Sequence, residues 1–367
     1  QWLKNVVSFS RFLQQHLLSP LCVAGVLSNI LIVAVLLRPS MRSNAFNHFL
    51  ILIAFCDGSV MAMSLVFDSV DSCHHLFHTH KWISYTRVFG VSTVLIHSAS
   101  LWLTVNMAIL RYQSLRYMLL SRGSSSSSSF FSCLPPPNSP HAAILSIVVA
   151  VFVALFGSLL NFLRYEVCSH AVNNFTKMFK NVNISFSLDD KVRIYAFRPP
   201  QWWNCTYERT NFWIVAVVLK LLPCILLTIF MTLLVKTLME ARKRRERLTT
   251  STSSNTNAER TTAMLTVIVA VFLVTELPQG IAQLAQGTYP QLRYAVTSLT
   301  NLFNMMSLIN SATNFLLCVL MSAVFRKECL QMFSNCFPSC FASSPSRSNA
   351  TTMLNLSSKN GFVPVPT

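Results

Sequence analysis

Charged residues are scarce in this chain. Asp, Glu, Lys and Arg make up 11% of its 367 residues, whereas about 25% is usual in soluble proteins. The acids are the rarer kind, at 12 against 29 basic residues, and the mean hydropathy is +0.48. Most of this chain therefore does not face water. Its formal net charge of +17 comes from basic residues that lie between apolar runs and form no folded basic domain, which excludes a nucleic-acid-binding protein.

The patterns of catalytic and metal centres are also missing from the sequence. Its 11 cysteines form no zinc-type pair of C-x-x-C motifs. We find no paired carboxylates for one cleft and no nucleophile–base pair. The sequence therefore predicts no enzyme, and no cofactor apart from the sodium ion considered below.

Long apolar runs, in contrast, are abundant. A helix needs about 20 apolar residues to cross a hydrocarbon core of about 30 Å. Seven runs qualify, which predicts an all-α membrane protein with a seven-transmembrane helix bundle. They are Leu17–Leu37, Phe46–Phe67, Val88–Arg111, Ala142–Leu163, Phe212–Val235, Thr262–Ala285 and Tyr294–Val324.

The basic residues of the short loops predict the orientation of this bundle. They follow the first, third, fifth and seventh runs, at Arg38, Arg116, Arg242–Arg247 and Arg326. Those loops are predicted to be cytoplasmic, with the N-terminus outside a plasma membrane. The long loop 164–211 is then extracellular, and it carries three glycosylation sequons, at Asn174, Asn183 and Asn204.

Three parts follow from this topology. Residues 1–16 are predicted to be an extracellular segment. One hypothesis is that the true N-terminus lies upstream of it, because no initiating Met or cleavable signal sequence opens the chain. Residues 17–333 form the membrane domain, which ends in a short amphipathic eighth helix over 325–333. Residues 334–367 are a disordered cytoplasmic tail. Its Cys336 and Cys340 are either palmitoylated or free thiols.

One acid inside an apolar run marks a functional region, because charge in hydrocarbon is costly. In the sixth run, TAMLTVIVAVFLVTELPQGIAQ, Glu276 stands two residues before Pro278. A proline removes a helical hydrogen bond and bends the helix, so Pro278 is predicted to be a hinge. A cation beside Glu276 would keep it charged. We predict that the following polar residues surround Glu276: His97, Lys220, Gln279 and Gln283.

Two hypotheses about this group stay open. In one, Glu276 forms an internal bridge with Lys220 or His97 that only shapes the bundle. In the other, an arginine or the amidated end of a peptide displaces that bridge. Asp68 and Asp71, at the outer end of the second run, compete with Glu276 as the acid for a ligand arginine.

Several motifs in order resemble those of the rhodopsin-like G-protein-coupled receptors. They are Asn29 in LSNILIV, Asp57 in LILIAFCD, Arg111-Tyr112 after Leu110, Pro223, TELP around Glu276, and Asn310 in NSATNF. The stretches HSASLWLTVNMAILRY, TTAMLTVIVAVFLVTELPQG and LINSATNF are similar to those of invertebrate myosuppressin and FMRFamide-type neuropeptide receptors. The resemblance implies an amidated peptide ligand and coupling to a heterotrimeric G protein. It also implies an arrestin and a receptor kinase that act at the tail.

The resemblance further assigns roles to single residues. Asp57, Ser100 and Asn310 match the family's polar core, where a sodium ion can bind or a hydrogen-bonded network can stand alone. Helical spacing places Arg111 about 21 Å below His97 and Glu259 about 25 Å below Glu276. We therefore predict a resting-state Arg111–Glu259 lock, against the alternative that Glu259 is a solvated acid in a first helical turn.

The family's usual disulfide is incomplete in this sequence. Thr86 stands where the resemblance implies the cysteine of the third helix. Cys73, Cys168 and Cys205 remain on the predicted outer side, and Cys73 can pair with either of the other two.

Two other functions stay as alternatives. One is a receptor-like protein that no longer signals, because the seventh-helix motif is altered and Ser121–Pro140 is a low-complexity loop where a G protein would dock. The other is an ion-coupled transporter that uses Asp57, Lys220 and Glu276. The sequence shows no internal repeat of the kind that transporters usually have.

Overall fold

The computed structural model describes residues 2–42, 44–71, 79–121, 139–171, 193–246 and 255–336. Eleven α-helices lie in these ranges: α1 Trp2–Leu36, α2 Pro39–Arg42, α3 Ala45–Asp71, α4 His80–Ser121, α5 Pro140–Leu163, α6 Cys205–Ile214, α7 Leu222–Glu246, α8 Asn255–Thr288, α9 Arg293–Ser298, α10 Thr300–Met321 and α11 Ala323–Cys336. A π-helix, Val215–Leu221, joins α6 to α7, and a 3₁₀ turn, Pro290–Leu292, precedes α9. Two strands, β1 Glu166–Ala171 and β2 Arg193–Arg198, follow α5.

The predicted bundle of membrane-spanning helices is confirmed. Within the described residues, six helical segments are long and apolar enough to cross a membrane: Asn5–Leu36, Ala45–Val70, His80–Leu119, Pro140–Leu163, Cys205–Ala241 and Thr300–Leu320. The sixth predicted run lies in α8, part of whose side chains the structure does not describe. Helix α1 begins at Trp2, so the predicted extracellular segment 1–16 is continuous with the first spanning helix.

The spanning helices close into a ring. Helix α1 packs against α3 and α10, α4 packs against α3, α5 and α7, and α8 packs against α7 and α10. One apolar cluster joins α4, α7 and α8 through residues such as Leu101, Leu227 and Phe272. A second joins α3, α4 and α5, and a third joins α1, α3 and α10. Glycines allow close approach: a Cβ on Gly25 would fall 2.0 Å from Met61 Sδ.

Two strands stand where the sequence predicted only an extracellular loop. Strands β1 and β2 pair antiparallel, with Glu166 opposite Arg198 and Cys168 opposite Ala196. They pack against the start of α4, where the rings of His80 and Tyr195 lie 5.0 Å apart. We call this end of the bundle the hairpin end.

A second unpredicted element is the π-helix in the fifth spanning segment. A π-helix inserts an extra residue into a helical turn and leaves backbone groups without their usual partners. Here the carbonyl of Val218 accepts a hydrogen bond of 3.2 Å from the indole Nε1 of Trp102 in α4. Lys220 stands two residues later, inside the same π-helix.

The described residues from Ser322 to Cys336 belong to a separate compact unit. Within it, Ser322 Oγ accepts a hydrogen bond from the backbone N–H of Phe325, near the start of α11. This helix contains the predicted segment 325–333. Its role as an amphipathic helix at the membrane surface stays a prediction, and residues 337–367 of the predicted tail lie outside the described residues.

Candidate functional site

A buried ionic triad joins three spanning segments in the interior of the bundle. Lys220 Nζ lies 2.7 Å from Glu276 Oε2, and His97 Nε2 lies 3.2 Å from both carboxylate oxygens. Glu276 is 0% exposed, His97 6% and Lys220 7%. The structure therefore brings together the acid that the sequence singled out and both of its predicted cationic partners.

Local structure explains why the three side chains meet. His97 lies on α4, five residues before Trp102, which hydrogen-bonds the π-helix. The π-helix carries Lys220 and packs closely on α8, because a Cβ on Gly280 would lie 3.1 Å from Lys220 Cβ and 2.9 Å from Leu221 Cδ2. Glu276 is one turn before Gly280 on α8. A change in how α8 packs on the π-helix would therefore move Glu276 relative to Lys220.

Both oxygens of the Glu276 carboxylate accept hydrogen bonds within the triad. A carboxylate only accepts, so the Nε2 of His97 carries the proton in its bond to Glu276. Lys220 supplies a second, charge-assisted bond, which makes the carboxylate tolerable inside the bundle. Among the described residues, His97 Nδ1 is buried without a hydrogen-bond partner. This atom is therefore available for a ligand or for water.

Other predicted ligand-binding residues lie on neighbouring helices. Gln279 Oε1 accepts a hydrogen bond of 3.2 Å from Ser307 Oγ in α10, and Gln283 is partly buried one turn later on α8. Asp68, in α3, accepts a bond of 2.7 Å from Ser19 Oγ in α1. Asp71 ends α3, and its side chain is not among those that the structure describes.

A second buried acid, Asp57, gathers polar side chains from α4 and α10. Its Oδ1 accepts from Ser100 Oγ at 2.9 Å and from Ser311 Oγ at 3.1 Å, and its Oδ2 accepts a short bond from Asn314 Nδ2. The predicted partner Ser100 is therefore in place. On α10 the bonds come from Ser311 and Asn314, one and four residues after the predicted Asn310.

Oxygen atoms around Asp57 fit a hard cation such as sodium. The hydroxyls of Ser100 and Ser311 can turn their lone pairs towards an ion. A Cβ on Gly58, the residue after Asp57 on α3, would lie only 3.3 Å from the Cβ of Asn29, so Asn29 on α1 packs against this part of α3. Among the described side chains, its Oδ1 is buried without a hydrogen-bond partner. Sodium binding stays a prediction.

Two of the predicted switch residues, Arg111 and Tyr112, lie on α4 towards the end opposite the hairpin end. The guanidinium of Arg111 lies 5.8 Å from the centre of the Phe46 ring. The Tyr112 hydroxyl accepts a bond of 2.7 Å from Arg116. The side chain of Glu259 lies outside those that the structure describes, so the Arg111–Glu259 lock stays a prediction. Pro278 lies inside α8, and the hinge hypothesis requires a proline within a helix.

Sequence reasoning missed a cluster of arginines and aromatic rings at the hairpin end. Arg164 donates from Nε and Nη2 to the two oxygens of Glu208, and Trp203 Nε1 donates to Glu208 Oε2 at 2.8 Å. Arg293 Nη2 lies 3.4 Å from Glu208 Oε1. The guanidinium groups of Arg164 and Arg293 both lie near the Phe212 ring. The sequence interpretation considered acids inside the apolar runs, and Glu208 lies just before the predicted fifth run.

Predicted covalent sites lie at the hairpin end, at the end of α11, or outside the described residues. Cys73, Asn174, Asn183 and Cys340 lie outside them. Asn204 is exposed and caps α6, its Oδ1 accepting from the N–H groups of Thr206 and Tyr207. Cys168 and Cys205 form no disulfide with any described residue. Cys336 ends α11, and its side chain is not described.

Comparison with protein families gives one match over most of the chain. Residues 16–336 match the model of the serpentine-type 7TM GPCR chemoreceptor family Srw. The matched range includes every described helix from α2 to α11 and most of α1.

Individual relatives come from two invertebrates. The chain is 27% identical to the G-protein coupled receptor dmsr-1 of Caenorhabditis elegans, over 90% of this chain and 69% of that protein. It is 22% identical to the FMRFamide receptor of Drosophila melanogaster, over 85% of this chain and 52% of the other. It is 24% identical to sex peptide receptor-related protein 2 of Caenorhabditis elegans, over 74% of this chain and 59% of the other. The chain thus spans little more than half the length of the second and third relatives.

Proposed function

The chain belongs to the serpentine-type 7TM GPCR chemoreceptor family Srw, and from that premise we propose that it is a receptor for an amidated neuropeptide that activates a heterotrimeric G protein. The Drosophila relative is named an FMRFamide receptor, which supports a peptide ending in Arg-Phe-amide as the ligand class. In this proposal the hairpin end faces the outside of the plasma membrane and the basic short loops face the cytoplasm.

The buried triad is the observation that carries the mechanism. It links α4, the π-helix and α8 through one carboxylate, so none of these segments can shift without changing the contacts of Glu276. A ligand that binds above it at the hairpin end favours one arrangement of the three segments over another. Pro278 lies two residues after Glu276 and divides α8 into two halves. The half beyond the hinge then swings outward and admits the G protein.

Asp68 is the better acid for an arginine of the ligand. Glu276 is 0% exposed and both its oxygens are bonded to Lys220 and His97, so a ligand would have to displace one of them. Asp68 is only partly buried, and it lies within one turn of the end of α3. We therefore propose that Asp68 takes the ligand arginine and that Glu276 transmits the change.

A peptide screen tests this proposal. Cells that express the chain with a G-protein reporter are exposed to a library of amidated peptides that includes FMRFamide. We expect peptides ending in Arg-Phe-amide to activate the reporter and their free-acid forms to be at least about tenfold weaker, because a carboxylate adds a charge that the site must desolvate. Replacing the peptide arginine by Glu should abolish activation.

The same assay separates the two acids. The variant Asp68→Lys should restore the response to the Glu-containing peptide, whereas Glu276→Lys should not. Surface labelling of each variant controls for loss of the receptor from the membrane. If no amidated peptide activates a receptor that reaches the surface, the peptide ligand is wrong. Peptide binding without activation would instead favour the receptor-like protein that no longer signals.

A further inference from the structure

We propose that the arginine cluster at the hairpin end is a binding subsite for an acidic side chain of the peptide, with Arg293 as the residue that receives it. The cluster consists of Arg164, Arg209 and Arg293 around the single carboxylate of Glu208. This inference rests on the proposed peptide ligand and adds a second charged contact to it, opposite in sign to the contact at Asp68.

Glu208 is already satisfied without Arg293. Arg164 contacts both carboxylate oxygens through Nε and Nη2, and the Trp203 indole adds a bond of 2.8 Å. Arg293 reaches Oε1 at 3.4 Å only. The side chain of Glu208 is 14% exposed and that of Arg164 20%, whereas that of Arg293 is 50% exposed. Arg293 is therefore the outer and weaker partner, and half of its side chain remains exposed.

The cluster carries more positive charge than it needs. Arg209 does not contact the carboxylate but donates to the backbone carbonyls of Gly287 and Thr288. Glu166, a further acid among the described residues of the hairpin end, stands opposite Arg198 in the hairpin register, so those two charges offset each other. Among the described residues, the three guanidinium groups of the cluster therefore outnumber its one carboxylate, which leaves a positive field at the hairpin end. Such a field raises the association rate of an anionic group.

Geometry favours a carboxylate as the incoming group. The planar guanidinium presents paired N–H donors that match the two oxygens of a carboxylate. Arg293 is held in place by the Phe212 ring, whose centre lies 5.5 Å from its Cζ, and the same ring lies 5.0 Å from Arg164. A guanidinium held on a ring loses less side-chain entropy on binding than a mobile one. The ligand's C-terminus is an amide in the proposed function, so the carboxylate comes from an Asp or Glu side chain.

The experiment uses FMRFamide extended at its N-terminus. Three series of peptides begin with Asp, Asn or Lys, and a Gly-Ser linker of one to six residues joins that residue to FMRFamide. The half-maximal concentration of each peptide is measured with the G-protein reporter. For the wild type we expect the best Asp peptide to be about three- to tenfold more potent than its Asn counterpart and the Lys peptide to be the weakest. Arg293→Glu should reverse this order, and Arg293→Gln should remove it.

Lys81 offers a matched control. It is an exposed basic residue at the hairpin end of α4, and Lys81→Glu makes the same change in net charge as Arg293→Glu. Only Arg293→Glu should make the Lys peptide the most potent, whereas Lys81→Glu should keep the Asp peptide first. Surface labelling confirms that each variant reaches the membrane. If Arg293→Glu does not reach it, Arg293→Gln is tested in its place and should give equal potency for the Asp and Lys peptides.

The outcomes separate this inference from the function on which it rests. If the extended peptides activate the wild type equally, or if Lys81→Glu reverses the order as Arg293→Glu does, the subsite is overturned and the peptide receptor stands. If none of the amidated peptides activates the receptor, the proposed function is wrong and the subsite falls with it.

Discussion

A carboxylate inside a membrane bundle is stabilised only while its cationic partners stay in place. Glu276 is fully buried, and Lys220 is its closer partner at 2.7 Å. Removing one member of such a pair leaves an unpaired buried charge, whereas removing both leaves two neutral groups. The triad thus gives an asymmetry between single and double variants that a solvent-exposed pair would not show.

Lys220→Met should therefore destabilise the receptor by about 3–5 kcal/mol, because Glu276 keeps its charge with only His97 beside it. The double variant Lys220→Met/Glu276→Gln should recover at least half of that loss. The thermal midpoint of the detergent-solubilised protein measures both. Equal losses in the single and double variants would contradict an ionic role for this pair.

Single residues also show how much of the site could be predicted from the sequence. Glu276, His97 and Lys220 could be grouped in advance, because polar side chains in apolar runs have to find one another. Ser311 and Asn314 could not be placed on Asp57 in preference to Asn310, because one residue is a rotation of about 100° on a helix. Glu208 escaped notice because an acid near the end of a helix is common and carries no signal by itself.

Helices and their packing decide where the triad can form. The apolar runs predict the spanning helices well, because about 20 apolar residues have no other stable arrangement in lipid. The π-helix Val215–Leu221 could not be predicted, because the letters VAVVLKL fit an ordinary α-helix equally well. It depends on a contact with another helix, the bond from Trp102 to the carbonyl of Val218. The hairpin strands are likewise set by pairing between two segments that are far apart in the sequence.

Gly280 tests the packing of α8 on the π-helix. Gly280→Val should cost about 1–3 kcal/mol and raise signalling without ligand, because its side chain would push Lys220 and Leu221 away and stretch the bond to Glu276. Thermal midpoint and basal reporter activity are the measurements.

Gly90 provides the matched control for this change. It also lies within a spanning helix, α4, but a Cβ there meets nothing within 4 Å. Gly90→Val should leave basal activity unchanged and shift stability by less than about 1 kcal/mol. Similar effects at both positions would mean that helix propensity, not the contact with the π-helix, explains the result.

At the scale of the whole molecule, charged residues are concentrated in two regions, one at each end of the bundle. The hairpin end combines the acid Asp68 with the arginine cluster, which suits a peptide that carries charges of both signs. The opposite end carries Arg111 and the basic residues after the third and fifth spanning segments. The triad lies between them on the three segments that would have to move. Under the proposed function, this division would let contact with a peptide at one end reach a G protein at the other.

The most direct measurement is nucleotide exchange on a purified G protein by the full chain in lipid nanodiscs. The account predicts that an amidated peptide from the screen accelerates GTP uptake by the G protein at least about tenfold, and that Arg111→Ala binds the peptide equally well without this acceleration. Peptide binding to the wild-type chain with no change in the exchange rate of any G-protein class would contradict it.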